Sequence, residues 1–175
     1  SSKLSIYLYS NFMNQPEDKI LQTAMTIAER IYGTASDPQM IAVKPESVEK
    51  LNNLGSKWFF YELDQNSRPI SWIVVLPTQI ELMKKFLGKE ISEQQLLDQT
   101  KSEKHYKALY LCSAITIPEY RRQGLAFNLL TQAIRHYQGK HHTEQFFSWP
   151  LSPEGSALVY RLQKDLNLTI QVRRA

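Results

Sequence analysis

A chain of 175 residues with 42% hydrophobic side chains is long enough for one domain with a substantial core and short for two. Its net charge of +4 is spread in small clusters at Arg121-Arg122, Lys140-His141-His142 and Arg173-Arg174, too diffuse for a nucleic-acid groove. No run approaches the roughly 18 apolar residues of a membrane helix, and no basic segment leads into an apolar run at the start, so neither membrane insertion nor export is expected.

Residues 3–9 alternate Leu4, Ile6 and Leu8 against Ser5, Tyr7 and Tyr9, the period of a half-buried strand. Pro16 opens a helix whose stripe of Ile20, Ala24, Ile27, Ala28 and Ile31 runs to a cap at Gly33. Pro45 is placed as the first-turn proline of a shorter helix through Val48 and Leu51, closed near Gly55. Residues 57–64 and 70–76, rich in aromatic and β-branched side chains, flank a turn at 65–69 and predict an antiparallel hairpin ended by Pro77. Two short helices follow in a polar insertion at 78–107. The first carries Ile80, Met83 and Leu87 up to Gly88, and the second starts with a capping box of Ser92 and Gln95 stapled by Ile91 and Leu96.

The chemistry concentrates next. Residues 108–117 form an apolar strand stopped by Pro118, and 123–137 carry the helical stripe Ala126, Leu129, Leu130, Ala133 and Tyr137. A helix entered through a glycine turn presents unpaired N–H groups and the positive end of its dipole, a cradle for a pyrophosphate. Gly124 allows close backbone approach, Ala126 keeps the helix start open, and Arg121 and Arg122 add charge. An ordinary strand-to-helix turn with exposed arginines is the alternative. Downstream, Ser152 and Pro153 start a helix that carries Tyr160.

The run of Arg121, two residues, Gly124, one residue and Ala126, entered from Ile117-Pro118-Glu119-Tyr120, resembles the cofactor motif of the GNAT superfamily of N-acetyltransferases. The order of elements is similar over nearly the whole chain outside the insertion. The resemblance implies an α/β (α+β) fold, with one GNAT-like domain over residues 1–175. Its central sheet would be mixed and mostly antiparallel, flanked by helices and interrupted by the 78–107 insertion. It implies acetyl-CoA as co-substrate and a V-shaped opening between strand 108–117 and the strand near 145–149. The pantetheine arm would pair there with Ile115, Thr116 and Ile117, and the pyrophosphate would sit on the amides of Arg122, Gln123, Gly124, Leu125, Ala126 and Phe127 beside Arg121. Tyr160, four residues after the small Ser156, would protonate the departing thiolate. Pro153 and Lys164-Asp165 depart from the family's Asn and Gly-Phe at the corresponding places.

Acyl transfer to nitrogen also needs a base, because an alkylammonium has a pKa near 10. The signature strand carries no carboxylate, which leaves Glu62, Glu81 and His105 to consider, each of which reads more readily as a solvated surface group. Direct attack in a ternary complex is expected, with the carbonyl polarised by an N–H near Ile115. The acceptor would be a small-molecule or peptide amine, with no nucleic-acid or membrane partner, and the protein a monomer or homodimer. The insertion would wall the acceptor pocket or serve as a stabilising flap, and Phe86 and Tyr106 suit either an apolar ligand group or packing. The lone Cys112 reads as a buried core residue, and the four histidines lack metal-ligand spacing, so no metal and a reducing cytoplasm are expected. A non-catalytic acyl-CoA-binding or regulatory module on the same fold is the rival reading, and a protein-interaction domain using the inserted helices is a further one.

Overall fold

The computed structural model describes residues 16–32 and 45–174. Its elements follow as α1 (Pro16–Tyr32), α2 (Pro45–Asn53), β1 (Phe59–Leu63), β2 (Pro69–Thr78), α3 (Ile80–Leu87), α4 (Glu93–Gln99), β3 (Ala108–Thr116), a 3₁₀ turn (Pro118–Tyr120), α5 (Leu125–His141), β4 (Gln145–Ser148), α6 (Pro153–Leu166) and β5 (Ile170–Val172). The expected first strand at 3–9 and the cap at Gly33 lie outside the described residues.

The strands form one open sheet in the order β1-β2-β3-β4-β5. The β1–β2 hairpin is antiparallel and its turn is tied by Asp64, whose Oδ1 accepts from the amides of Asn66 and Arg68 at 2.8 and 3.0 Å. β2 and β3 are also antiparallel, whereas β3–β4 and β4–β5 are parallel. A parallel neighbour needs a crossover, and here α5 and α6 supply it. Among the described strands the sheet is therefore mixed, as expected, with the longer pairings antiparallel.

Pro77 does not end β2, which continues to Thr78 with Pro77 opposite Leu109. The amide of Val75 donates to the Trp58 carbonyl on the β1 side at 2.9 Å. By the two-residue alternation Pro77 turns its missing donor to that same side, beyond the end of β1, so no ladder bond is lost.

Crossovers that step the same way across a sheet bring their helices to one face. Leu129, Leu130, Ala133, Ile134 and Tyr137 of α5 and Val159 and Leu162 of α6 pack there on Ile73, Val75, Leu109 and Leu111. The opposite face is covered by α1, α2 and the inserted α3 and α4, over Trp72, Leu76, Tyr110 and Phe147. Met83, Phe86, Leu96 and Leu97 of the insertion are all at most 2% exposed. At about 1.5–3 kcal/mol each, their burial contributes on the order of 6–12 kcal/mol before ordering costs, so the insertion is docked and is not a loose flap. The predicted capping box is formed, with Ser92 Oγ accepting from the Gln95 amide at 3.1 Å and Gln95 Oε1 accepting from the Ser92 amide at 2.9 Å. Thr78 and Thr100, joined by their hydroxyls at 2.7 Å, close the neck of the insertion.

Candidate functional site

Beyond the end of β4 the third strand has a free edge. Parallel pairing ends at Leu111 and Ser148, while β3 runs on to Thr116 against β2 alone. Cys112 marks the departure: Val75 pairs with Leu111 and Val74 with Ser113, which leaves Cys112 as the extra residue of a β-bulge. A bulge bends and twists its strand, and this one stands directly after the last residue of β3 paired with β4. It also shifts the pleat by one residue, so that Ile115 and Ile117 join Tyr110 against the α1–α4 cluster.

The Ile117 amide donates to the Ile70 carbonyl at 3.0 Å, and the Ile115 carbonyl accepts from Ser71 Oγ at 3.1 Å. Of the three residues expected to meet pantetheine, Ile115 and Ile117 thus turn their backbone groups toward β2. Thr116, and with it Ala114, turns them to the open edge. The Thr116 carbonyl accepts from Arg121 Nε at 3.2 Å, which folds that side chain back onto the mouth of the opening.

Beyond Pro118 the chain turns through two left-handed residues, Arg122 with φ 65° and Gly124 with φ 77°. Such a conformation at a bulky residue costs on the order of 1–2 kcal/mol and persists where its surroundings enforce it. The first bond of the α5 ladder runs from the Asn128 amide to the Gly124 carbonyl at 3.0 Å, and no side chain caps the helix. The amides of Leu125, Ala126 and Phe127 therefore precede the ladder, at the positive end of a 17-residue helix. A Cβ added to Gly124 would meet nothing within 4 Å, so the space above this turn is open. Arg121, Arg122 and Gln123 are exposed around it. On the other side, the Arg161 guanidinium of α6 lies 3.8 Å from the centre of the Phe127 ring and adds a further cation.

Tyr160 precedes that arginine on α6, a helix started by Ser152, whose Oγ accepts from the Gly155 amide at 3.0 Å. Its side chain is 68% exposed, on the face of α6 opposite the buried Leu162, and the hydroxyl makes no hydrogen bond among the described residues. The turn, the helix start and α6 are thus neighbours, while the tyrosine itself stands clear of them.

A second group of polar residues lies at the vertex, where the pairing of β3 with β4 ends, on the face away from α5, and sequence reasoning missed it. Glu93, first residue of α4, is 5% exposed, and Tyr110 of β3 donates to its Oε2 at 2.5 Å. The same carboxylate acts on the Cys112 thiol: burial, then Glu93, pushes it well above the usual thiol range. Burial likewise pushes the Tyr110 phenol well up, with Cys112 and Glu93 adding to the shift and Arg173 opposing it. Arg173, just past β5 and 6% exposed, is held by the Ile91 carbonyl at 2.8 Å and sits 4.5 Å from the Phe86 ring centre and 4.6 Å from that of Trp149. In the sequence, an acid after a Ser cap reads as a dipole-matching first-turn residue, and a late arginine pair reads as surface charge.

The bases considered from the sequence lie elsewhere. Glu62 is exposed on the edge strand β1, Glu81 is exposed on α3, and His105 is exposed with its ring 6.0 Å from those of His141 and His142. Tyr106 is structural: fully buried, it donates to the Leu54 carbonyl at 2.5 Å. Phe86 is also fully buried, but among the vertex rings of Tyr110, Phe147 and Trp149. Among the described residues no helix is long and apolar enough to cross a membrane, and no three His, Cys, Asp or Glu side chains are grouped to hold a metal ion. Comparison with family models, with curated proteins and with solved structures gave no match.

Proposed function

We propose that the chain is an N-acetyltransferase of the GNAT type, which transfers the acetyl group of acetyl-CoA to an amine by direct attack in a ternary complex. One observation carries the reading: the edge of β3 left free beyond Leu111 is followed in the chain by the turn that leads into the uncapped amides of α5. An extended arm laid along the free edge of β3 would pair with Ala114 and Thr116 as an added strand does. Its diphosphate would then reach the amides of Leu125 to Phe127, with Arg121, Arg122, Gln123 and Arg161 around it. The raised thiol of Cys112 supports direct attack, because a cysteine nucleophile works as the thiolate. Tyr160 would take the role of acid to the leaving thiolate from its exposed place on α6, approaching the ligand only in the complex.

The test is turnover. Acetyl-CoA is incubated with a panel of amines while free thiol is followed, and at least one amine should raise the rate above hydrolysis. CoA binding without any amine-dependent release would return the acyl-CoA-binding module instead. Tyr160→Phe should lower kcat at least tenfold and spare CoA binding; an unchanged kcat would remove the tyrosine from the reaction.

A further inference from the structure

The insertion brings a carboxylate to the strand that lacks one. Residues 108–116 hold no acid, yet Glu93 reaches that strand from α4 and meets Tyr110 and Cys112 where β3 leaves β4. From Cys112 to Ile117 the strand covers roughly 16 Å at about 3.3 Å per residue, comparable to the length of a pantetheine arm. A thioester whose diphosphate rests on the start of α5 would therefore lie near Cys112. The diphosphate site belongs to the face covered by α5 and the Glu93 carboxylate to the opposite face, so the arm would pass between the strands from one to the other.

Resting on the acetyltransferase reading, we infer that Glu93 is the general base that takes the proton of the acceptor ammonium, positioned by the Tyr110 hydroxyl at the vertex of the β3–β4 opening. A glutamine at 93 would accept the same hydrogen bond from Tyr110 but could not take up a proton, so Glu93→Gln separates proton transfer from the hydrogen bond. At 5% exposure the carboxylate would receive the acceptor's proton through a bridging water, a relay that general-base catalysis accommodates. Arg173 places a buried positive charge at the same vertex, between Phe86 and Trp149.

The proton inventory closes. The ammonium gives one proton to Glu93, and the freed nitrogen lone pair forms the C–N bond at the thioester carbonyl. As the C–S bond breaks, the thiolate takes a proton from Tyr160. The second nitrogen proton leaves as the amide forms, and exchange with solvent restores both side chains, with one proton released per turnover.

Groups that could be confused with Glu93 in a pH profile are few. Tyr110 and Cys112 face it from β3 and Arg173 from beyond β5. Glu81, Lys84 and Lys85 of α3 are exposed, and Glu46 and Lys50 of α2 meet α4 across Gln94 and Asp98 instead.

The experiment uses ethylamine, protonated near neutral pH, and hydroxylamine, largely neutral there, each with acetyl-CoA and corrected for the uncatalysed rate. Glu93→Gln should lower kcat/KM for ethylamine about 100-fold or more and abolish the acid limb of its pH profile. With hydroxylamine the loss should stay under about tenfold, because no proton need be removed before attack. Tyr110→Phe keeps the carboxylate but takes away its donor, so the acid limb should remain and move up by about one pH unit. Thermal stabilisation by CoA should match in wild type and E93Q, which shows the cofactor site intact. Equal loss with both amines, no loss with either, or an acid limb that survives in E93Q would overturn the assignment. Should E93Q fail to fold, Glu93→Asp keeps the charge and should retain the acid limb at reduced rate; a limb missing in E93D and unmoved in Y110F would overturn it equally. If the wild type shows neither CoA stabilisation nor transfer, the acetyltransferase reading falls and takes this inference with it. Transfer by the wild type that E93Q leaves unaltered removes Glu93 alone.

Discussion

Gly124→Ala separates two consequences of one atom. At φ 77° a Cβ is strained, by about 1–2 kcal/mol, yet in the free protein that Cβ would touch nothing within 4 Å. The free variant should therefore lose roughly 2–8 °C in Tm, at about 2–4 °C per kcal/mol for a chain of this size. On the proposed function the bound state should suffer more, because the new methyl would stand where the diphosphate is proposed to approach the amides of Leu125 to Phe127. Wild type with CoA at about 100 times its Kd gains about 2.7 kcal/mol, a rise of roughly 5–11 °C. In Gly124→Ala most of that rise should vanish, as read by differential scanning fluorimetry with and without CoA. Gly124→Asn serves as the control for strain, since asparagine tolerates the left-handed region: it should recover part of the lost stability and none of the CoA response. An undiminished CoA shift in both variants would refute the placement of the diphosphate at this turn.

Other consequences can be checked by stability measurements. Ser92→Ala removes the cap oxygen from the Gln95 amide and should cost about 1 kcal/mol in urea unfolding; no change would show the box to be idle. Phe86→Ala empties a fully buried position shared by Tyr110, Phe147, Trp149 and Arg173, and should cost about 3–5 kcal/mol by the same assay, whereas a cost under 1 would mean the insertion does not depend on this ring. Burial, helped by Lys140, lowers the pKa of both His136 and His141 in the folded protein. Unfolded imidazoles take up protons near pH 6.5, so the unfolded state binds more protons below that value. Stability should thus be level above about pH 7.5 and fall as the pH drops through 6.5 and on past the folded values; His141→Gln should flatten part of the slope in urea titrations run at each pH.

Local patterns decided much of the fold. The stripe of Leu129, Leu130, Ala133 and Tyr137 made α5 a helix, the Ser92-Gln95 box started α4, and the apolar run at 108 made β3, because each signal lies within a few residues and competes with nothing distant. The glycine turn at 124 was legible for the same reason, since a left-handed residue before a helix leaves its mark in the residue type itself. Pro77 was misread because tolerance of a proline in a strand depends on where the neighbouring strand stops, and Trp58 lies 19 positions away. The bulge at Cys112 depends likewise on the register between Val74 and Val75, and it turns Ile115 and Ile117 inward. Glu93, Tyr110, Cys112 and Arg173 are separated by up to 80 positions and look ordinary one by one. Only the docking of α4 against the sheet, driven by burial of Leu96 and Leu97, brings these four side chains together out of water.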